Sequence, residues 1–182
     1  MLAQLPGQVK PAFGLRLRIM TTTTRWLDDD QQAIWQDLLT IVIGLPTLLD
    51  RQLEHDAGTS NFEYSVLARL SMSDGRTLRM SDLATQCNST RPRLSKVMTR
   101  FERQGWVQRT PDPDNGRYML VRLTDEGLEQ VVRSAPGHVE RVRQLVFDPL
   151  DEPRQDALAL GLARVADTVR AQLERSSSAV DA

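Results

Sequence analysis

Cations at helical spacing dominate the side chains able to do chemistry. Arg91, Arg93, Lys96 and Arg100 fall within ten residues, interleaved with Ser89, Ser95 and Thr99, and Arg117 lies in a turn-rich stretch downstream. A guanidinium presents a planar fork that meets two acceptors at once, so this set suits phosphate oxygens and the paired acceptors of a guanine edge. The hydroxyls add shorter hydrogen bonds, and Arg79 and Arg109 are further candidates for a polyanionic backbone. Arg109 could equally pair with Asp112 or Asp114. Other chemistries lack their parts. One cysteine, Cys87, and two separated histidines, His55 and His138, cannot make a four-ligand metal site or an internal disulfide. Ser65, Ser81, Ser89 and Ser95 have no histidine placed to act as base, and no glycine-rich loop is present to cradle a nucleotide. The expectation is no catalytic residue, no metal, no cofactor and no enzyme activity.

The charge distribution sharpens this reading. The 182-residue chain has a net charge of -1, yet Arg76 to Arg122 holds ten Lys/Arg against four Asp/Glu, leaving the remainder at -7. A local positive face rewards phosphate contact, while acidic surface elsewhere limits indiscriminate binding. The competing reading is a polar helix face whose arginines meet only water. With 40% apolar and 26% charged residues, one soluble, core-forming unit is expected.

The elements that must carry these residues follow from periodicity and caps. Residues 1–25 contain Pro6, Gly7, Pro11, Gly14 and the Thr21–Thr24 run, and read as a poorly ordered extension. Within it, Val9 to Met20 has no apolar run long enough for a signal peptide or membrane span, so a cytoplasmic chain with no membrane partner is expected. The folded part spans 26–175. Ile34, Leu38, Ile41, Leu45, Leu48 and Leu49 predict a long helix capped by Asp28 to Asp30, with Pro46 set to kink or divide it. Gly58 breaks it, Asn61 opens a second helix, and Ser73-Asp74-Gly75 ends that one.

A short helix over Met80 to Gln86 follows, and Asn88, Ser89 and Thr90 cap another through Arg103, with Pro92 harmless in its first turn. Leu94, Val97, Met98 and Phe101 form the inward stripe of that helix, which leaves its cations outward. Two strands, Trp106 to Arg109 and Tyr118 to Leu123, flank a turn holding Asn115-Gly116. Thr124 and Asp125 open a helix through Phe147, with a bend expected at Pro136-Gly137. Pro153 introduces a last helix through Leu173, and 176–182 reads as a flexible tail.

Two short helices, a sharp turn and a two-stranded hairpin, in that order, make a winged helix-turn-helix. The stretch from Val107 through Asp112-Pro113-Asp114-Asn115-Gly116-Arg117 to Leu123-Thr124-Asp125-Glu126-Gly127 resembles the strand, wing, strand and helix start of the MarR family of bacterial transcription regulators. Met80-Ser81-Asp82-Leu83-Ala84 is similar to that family's first helix-turn-helix element, and Ser89 to Gln104 to its recognition helix. The likeness covers Asp28 to Glu174, with the DNA-binding lobe at 61–127.

The resemblance implies a mainly α fold with a small β hairpin and with N- and C-terminal dimerisation helices. It implies a homodimer that binds a pseudopalindromic double-stranded DNA operator, typically as a repressor released by a small aromatic or anionic effector. DNA contacts then fall to Ser89, Arg91, Arg93, Ser95, Lys96, Thr99 and Arg100 in the major groove and to Arg117 in the minor groove. An effector pocket would be lined by Trp35, Leu38, Leu39, Val42, Phe62, Tyr64 and Leu67, with Arg51 or His55 meeting an anion. The sequence departs from the family at Asn115, where the wing usually has an aspartate two places before its arginine, so the usual wing ion pair is in doubt. Cys87 reads as a packing residue rather than a redox sensor. An activator, an architectural DNA-binding protein and a DNA-free interaction module stay open as alternatives.

Overall fold

The computed structural model describes residues 24–180. Residues 1–23 of the extension expected over 1–25, its Val9–Met20 segment included, and the last two residues of the tail therefore lie outside the described residues.

Helix α1 (Asp29–Ala57) starts in a capping box, in which Asp28 accepts from the Gln31 N–H and Gln31 reaches back to the Asp28 N–H. It ends at Gly58, whose left-handed φ of 61° terminates the helix at little steric cost. Pro46 does not divide it. Helix α2 (Asn61–Met72) opens on a second capping box, Ser60 with Glu63. A 3-10 turn at Asp74–Arg76 leads to strand β1 (Thr77–Arg79), followed by α3 (Met80–Gln86) and α4 (Arg91–Arg103), which Thr90 caps. Strands β2 (Val107–Pro111) and β3 (Met119–Leu123) form the hairpin. Helix α5 (Asp125–Val142) runs into a π-helical turn at Arg143–Phe147, and α6 (Glu152–Val180) closes the chain.

Three details differ from the sequence expectation. The sheet has three antiparallel strands in the order β1-β3-β2, with Leu78 opposite Val121 and Arg109 opposite Val121 from the other side. Three residues are too few to show strand alternation, which is why β1 is invisible in the sequence. Helix α5 passes through Pro136 and Gly137 without a break. Gly137 serves packing there, because a Cβ would lie 3.1 Å from Gln52 Nε2 and 3.2 Å from Asp56 Oδ2 on α1. Helix α6 continues past Leu173 to Val180, since no glycine or proline interrupts that stretch.

The core sits in the winged lobe. Val66, Leu67, Leu70, Leu83, Ala84, Leu94, Met98, Phe101, Val107, Val121 and Leu123 form one buried cluster, each large member stabilising by about 1.5–3 kcal/mol. By contrast α1 buries only Leu49 and Leu53, while Ile34, Ile43, Val132 and Leu160 on α1, α5 and α6 are each more than 60% exposed. The outer helices thus carry apolar surface that the described residues leave uncovered. Helix α1 is also long and apolar enough to cross a bilayer by length and composition. It nonetheless carries Asp37 and Asp50 within its length and packs along α5.

Candidate nucleic-acid interface

The apolar stripe of α4 fixes which residues face outward. Leu94, Met98 and Phe101 are fully buried, so Arg91, Arg93, Ser95, Lys96 and Thr99 are exposed, with Ser89 and Arg100 half-buried. Against the N-terminal half of α4 lies the wing, and between them opens a cleft of about 390 Å³ whose lining includes Ser81, Arg91, Ser95, Arg117 and Tyr118. The structure therefore brings Arg91 and Arg117, 26 residues apart in sequence, to one concavity.

Ion pairing sorts the basic residues of this lobe into two groups. Arg76 pairs with Asp125, Arg79 with Asp112, Arg100 with Glu63 and Arg109 with Glu102. Arg91, Lys96 and Arg117 have no carboxylate partner among the described residues. Arg93 lies over the Phe62 ring at 4.0 Å from its centroid, a cation–π contact. A positive charge already neutralised in the fold gains little from a phosphate, so the unpaired set is the one free to meet a polyanion. Arg109 does not pair with Asp112 or Asp114. The Glu102–Arg109 bond, from α4 to β2, pulls the Glu102 carboxyl below its ordinary range and raises the Arg109 guanidinium. Arg109 also donates to Thr99 Oγ1 at 3.4 Å, and that hydroxyl donates to the Ser95 carbonyl at 3.1 Å.

The wing is braced from its base. Asp112 is buried, and its Oδ1 accepts from the Asp114 N–H at 3.0 Å while Oδ2 accepts from Arg79 Nε at 2.8 Å. The Asp114 N–H first, then Arg79, holds its carboxyl below the usual carboxylate range. Arg79 in turn lies 5.0 Å from the Tyr118 ring centroid. Sequence reasoning looked for the wing's carboxylate at position 115, whereas Asp112, just past β2, supplies one and pairs with Arg79 of β1, 33 residues away. Asn115 has a local task instead. Its Oδ1 accepts from the Arg117 N–H at 3.2 Å, and its carbonyl accepts from the Tyr118 N–H at 2.9 Å.

The residues expected to line an effector pocket differ widely in burial. Leu67 is fully buried in the core, Tyr64 is buried, and Phe62 packs against the core beneath Arg93. Trp35, Val42, Arg51 and His55 are exposed, Leu38 and Leu39 half-buried, and His55 Nδ1 faces Asp56 at 2.7 Å. In α2, Leu67 and Phe62 serve the core, while Tyr64 packs against His138 of α5. A separate cleft of about 420 Å³ is lined by His138, Val139, Val142, Arg143, Phe147 and Gln155, residues the sequence did not single out together. Cys87 is half-buried with its thiol pushed up by burial, partly opposed by Arg69, as suits a packing residue.

The His138 ring lies tilted against Tyr64 with centroids 4.5 Å apart, and its buried Nδ1 has no hydrogen-bond partner among the described residues. Burial lowers its pKa below the ordinary 6.5. The unfolded chain therefore takes up a proton at a higher pH than the folded one. Stability is full above the unfolded value, falls as the pH drops below about 6.5, and levels off once the folded histidine is also protonated. Urea unfolding between about pH 5 and 7.5 should show this slope, and a His138→Phe variant should lose its His138 component. An equal slope in both proteins would refute the assignment.

A family model described as the MarR family matches residues 60–119. The chain is similar to Sco3205, a MarR family transcriptional regulator from Streptomyces coelicolor solved in complex with DNA, at 41% identity and a TM-score of 0.76 over 81% of this chain and 92% of that one. It is similar to AbsC, a MarR family transcriptional regulator from the same organism, at 34% identity and a TM-score of 0.75 over 81% and 99% of the two chains. It also resembles the HTH-type transcriptional regulator PecS of Dickeya dadantii, 35% identical over 78 residues, 43% of this chain and 45% of that protein. The match thus spans under half the length of that curated relative.

Proposed function

The chain belongs to the MarR family of transcriptional regulators, and on that premise we propose that it binds a pseudopalindromic double-stranded DNA operator as a homodimer and represses transcription until a small effector binds. The observation that carries the reading is the cleft between α4 and the wing, with Arg91 on one wall, Arg117 on the other, and neither neutralised by a carboxylate among the described residues. In this reading α4 enters the major groove, where Arg91 and Lys96 meet base edges or phosphates and Ser89, Ser95 and Thr99 add hydroxyl contacts. Arg117 reaches the adjacent minor groove. Arg93 and Arg100 are held by Phe62 and Glu63, so they contribute first to placing the helix.

The uncovered apolar faces of α1, α5 and α6 support the homodimer, because large exposed apolar patches on a soluble chain mark an interface. Two-fold symmetry then sets two recognition helices about 34 Å apart, one turn of DNA. The cleft beside His138 and Arg143 offers a mixed apolar and cationic lining for an anionic aromatic effector. The protein acts in the cytoplasm, without catalysis.

Selection of genomic fragments by the purified protein at a stated near-physiological salt concentration, followed by footprinting, tests this reading. A shared pseudopalindrome with half-sites one turn apart is the expected result. Occupancy of random fragments at equal strength across a salt series would replace it with an architectural role.

A further inference from the structure

We propose that Glu63 is a positioning residue for DNA recognition, which through Arg100 fixes the pitch of α4 against the elbow between α1 and α2 and thereby sets the half-site separation the dimer accepts. The inference rests on the DNA-binding reading above.

Glu63 lies in the first turn of α2 and is 7% exposed. A carboxylate so buried needs donors on both oxygens. Its Oε2 accepts from the Ser60 N–H at 3.0 Å, from Ser60 Oγ at 3.2 Å and from Thr59 Oγ1 at 3.4 Å, all within the elbow. Its Oε1 accepts from Arg100 Nη1 at 2.7 Å, 37 residues away on α4. The second arm of the same guanidinium, Nη2, donates to the Gly58 carbonyl at 3.0 Å, immediately past the end of α1. One arginine thus grips both halves of the elbow.

The elbow is itself fixed to the outer helices. Asp50 Oδ1 on α1 accepts from the Asn61 N–H at 2.6 Å, and Gln130 Nε2 on α5 donates to the Ala57 carbonyl at 3.4 Å. A second grip on α4 comes from Arg93 over Phe62, beside Glu63 in sequence. Arg93 and Arg100 are seven residues apart, two turns along one edge of α4. The buried stripe of Leu94, Met98 and Phe101 holds α4 to the core, yet an apolar contact is non-directional and lets a helix roll. Two polar grips at defined angles on the same edge remove that roll. Since α1 carries much of the uncovered apolar surface, the orientation of α4 becomes tied to the element that meets the second copy.

The test uses the full chain, the pseudopalindromic duplex recovered by fragment selection, and versions of it with one base pair added or removed between half-sites. Glu63→Gln and Arg100→Gln should each bind the best duplex about tenfold more weakly and discriminate less between the three spacings. The double variant should be little worse than either single one, because both break the same link. Glu63 cannot touch a phosphate from its buried position, so its variant should keep the wild-type dependence on salt. Arg100→Gln leaves the Ser60–Glu63 capping box in place, so its spacing profile decides the matter if Glu63→Gln does not fold. A wild-type spacing profile in the folded variants would overturn the proposal. So would a loss confined to Arg100→Gln, equal at all spacings and with a shallower salt slope, which would make Arg100 a phosphate contact. Failure of the wild-type protein to bind any duplex would overturn the DNA-binding reading and this one with it, a result distinct from normal binding with unchanged spacing.

Discussion

Replacing Arg91 and Arg117 together by alanine lowers operator affinity by about a thousandfold at constant salt while leaving the fold intact. Both side chains line the cleft between α4 and the wing, both are exposed, and no carboxylate among the described residues depends on either. Their removal therefore breaks no internal ion pair, unlike removal of Arg79, Arg100 or Arg109. In the proposed dimer four contacts are lost, two per half-site. At roughly 1 kcal/mol each, the low end for such contacts, the sum is about 4 kcal/mol, or three powers of ten in Kd. The salt slope should become shallower, by about one unit for each phosphate contact among the four. Fluorescence anisotropy of the operator across a salt series measures both quantities. A loss under tenfold, with an unchanged slope, would remove the cleft from the interface.

The largest effect on stability falls at Gly127. This residue lies in the first turn of α5, where its N–H donates to the Thr124 Oγ1 cap at 3.0 Å. Thr124 binds the loop before β2 twice, through its N–H to the Trp106 carbonyl and its Oγ1 to the Gly105 carbonyl. The first turn is thereby pressed onto the backbone, and a Cβ on residue 127 would stand 2.2 Å from the Trp106 oxygen and 2.7 Å from Leu123 Cδ1. The Leu123 side chain can turn aside, but a backbone carbonyl already engaged by Thr124 cannot. Gly127→Ala must push α5 off the sheet, at a cost of about 3 kcal/mol or more, in the upper range for overpacking. Urea unfolding monitored by circular dichroism should show a lower midpoint or no cooperative transition. Gly116→Ala, in open space on the wing, is the matched control and should stay near the wild-type midpoint.

The contrast between these two sites shows what the sequence can and cannot carry. Helix starts were legible because each depends on neighbours in the chain: Asp28 with Gln31, Thr90 with Arg93 and Thr124 with Gly127 all close within three residues. The outward set on α4 was legible for the same reason, since its apolar stripe has a helical period. Contacts made across the fold were not. Nothing near Arg79 marks Asp112 as its partner, and nothing near Arg100 marks Glu63, because those pairs exist only once the sheet and helices have closed. The surroundings of α2 were illegible similarly: spacing shows that Tyr64 and Leu67 lie near one face, but not that Leu67 joins the cluster of Leu94 and Phe101 while Tyr64 meets His138.

Strand β3 lies between β1 and β2, and β1 leads directly into the helix-turn-helix while β2 and β3 bear the wing. The parts assigned to the major and minor grooves therefore share one hydrogen-bonded lattice, further locked by Arg79 and Asp112. Such a frame works as a caliper of fixed opening. Where the groove widths of a DNA segment do not match it, the duplex must supply the adjustment. Sequence steps that bend or narrow at low energetic cost then gain affinity at positions that no side chain touches.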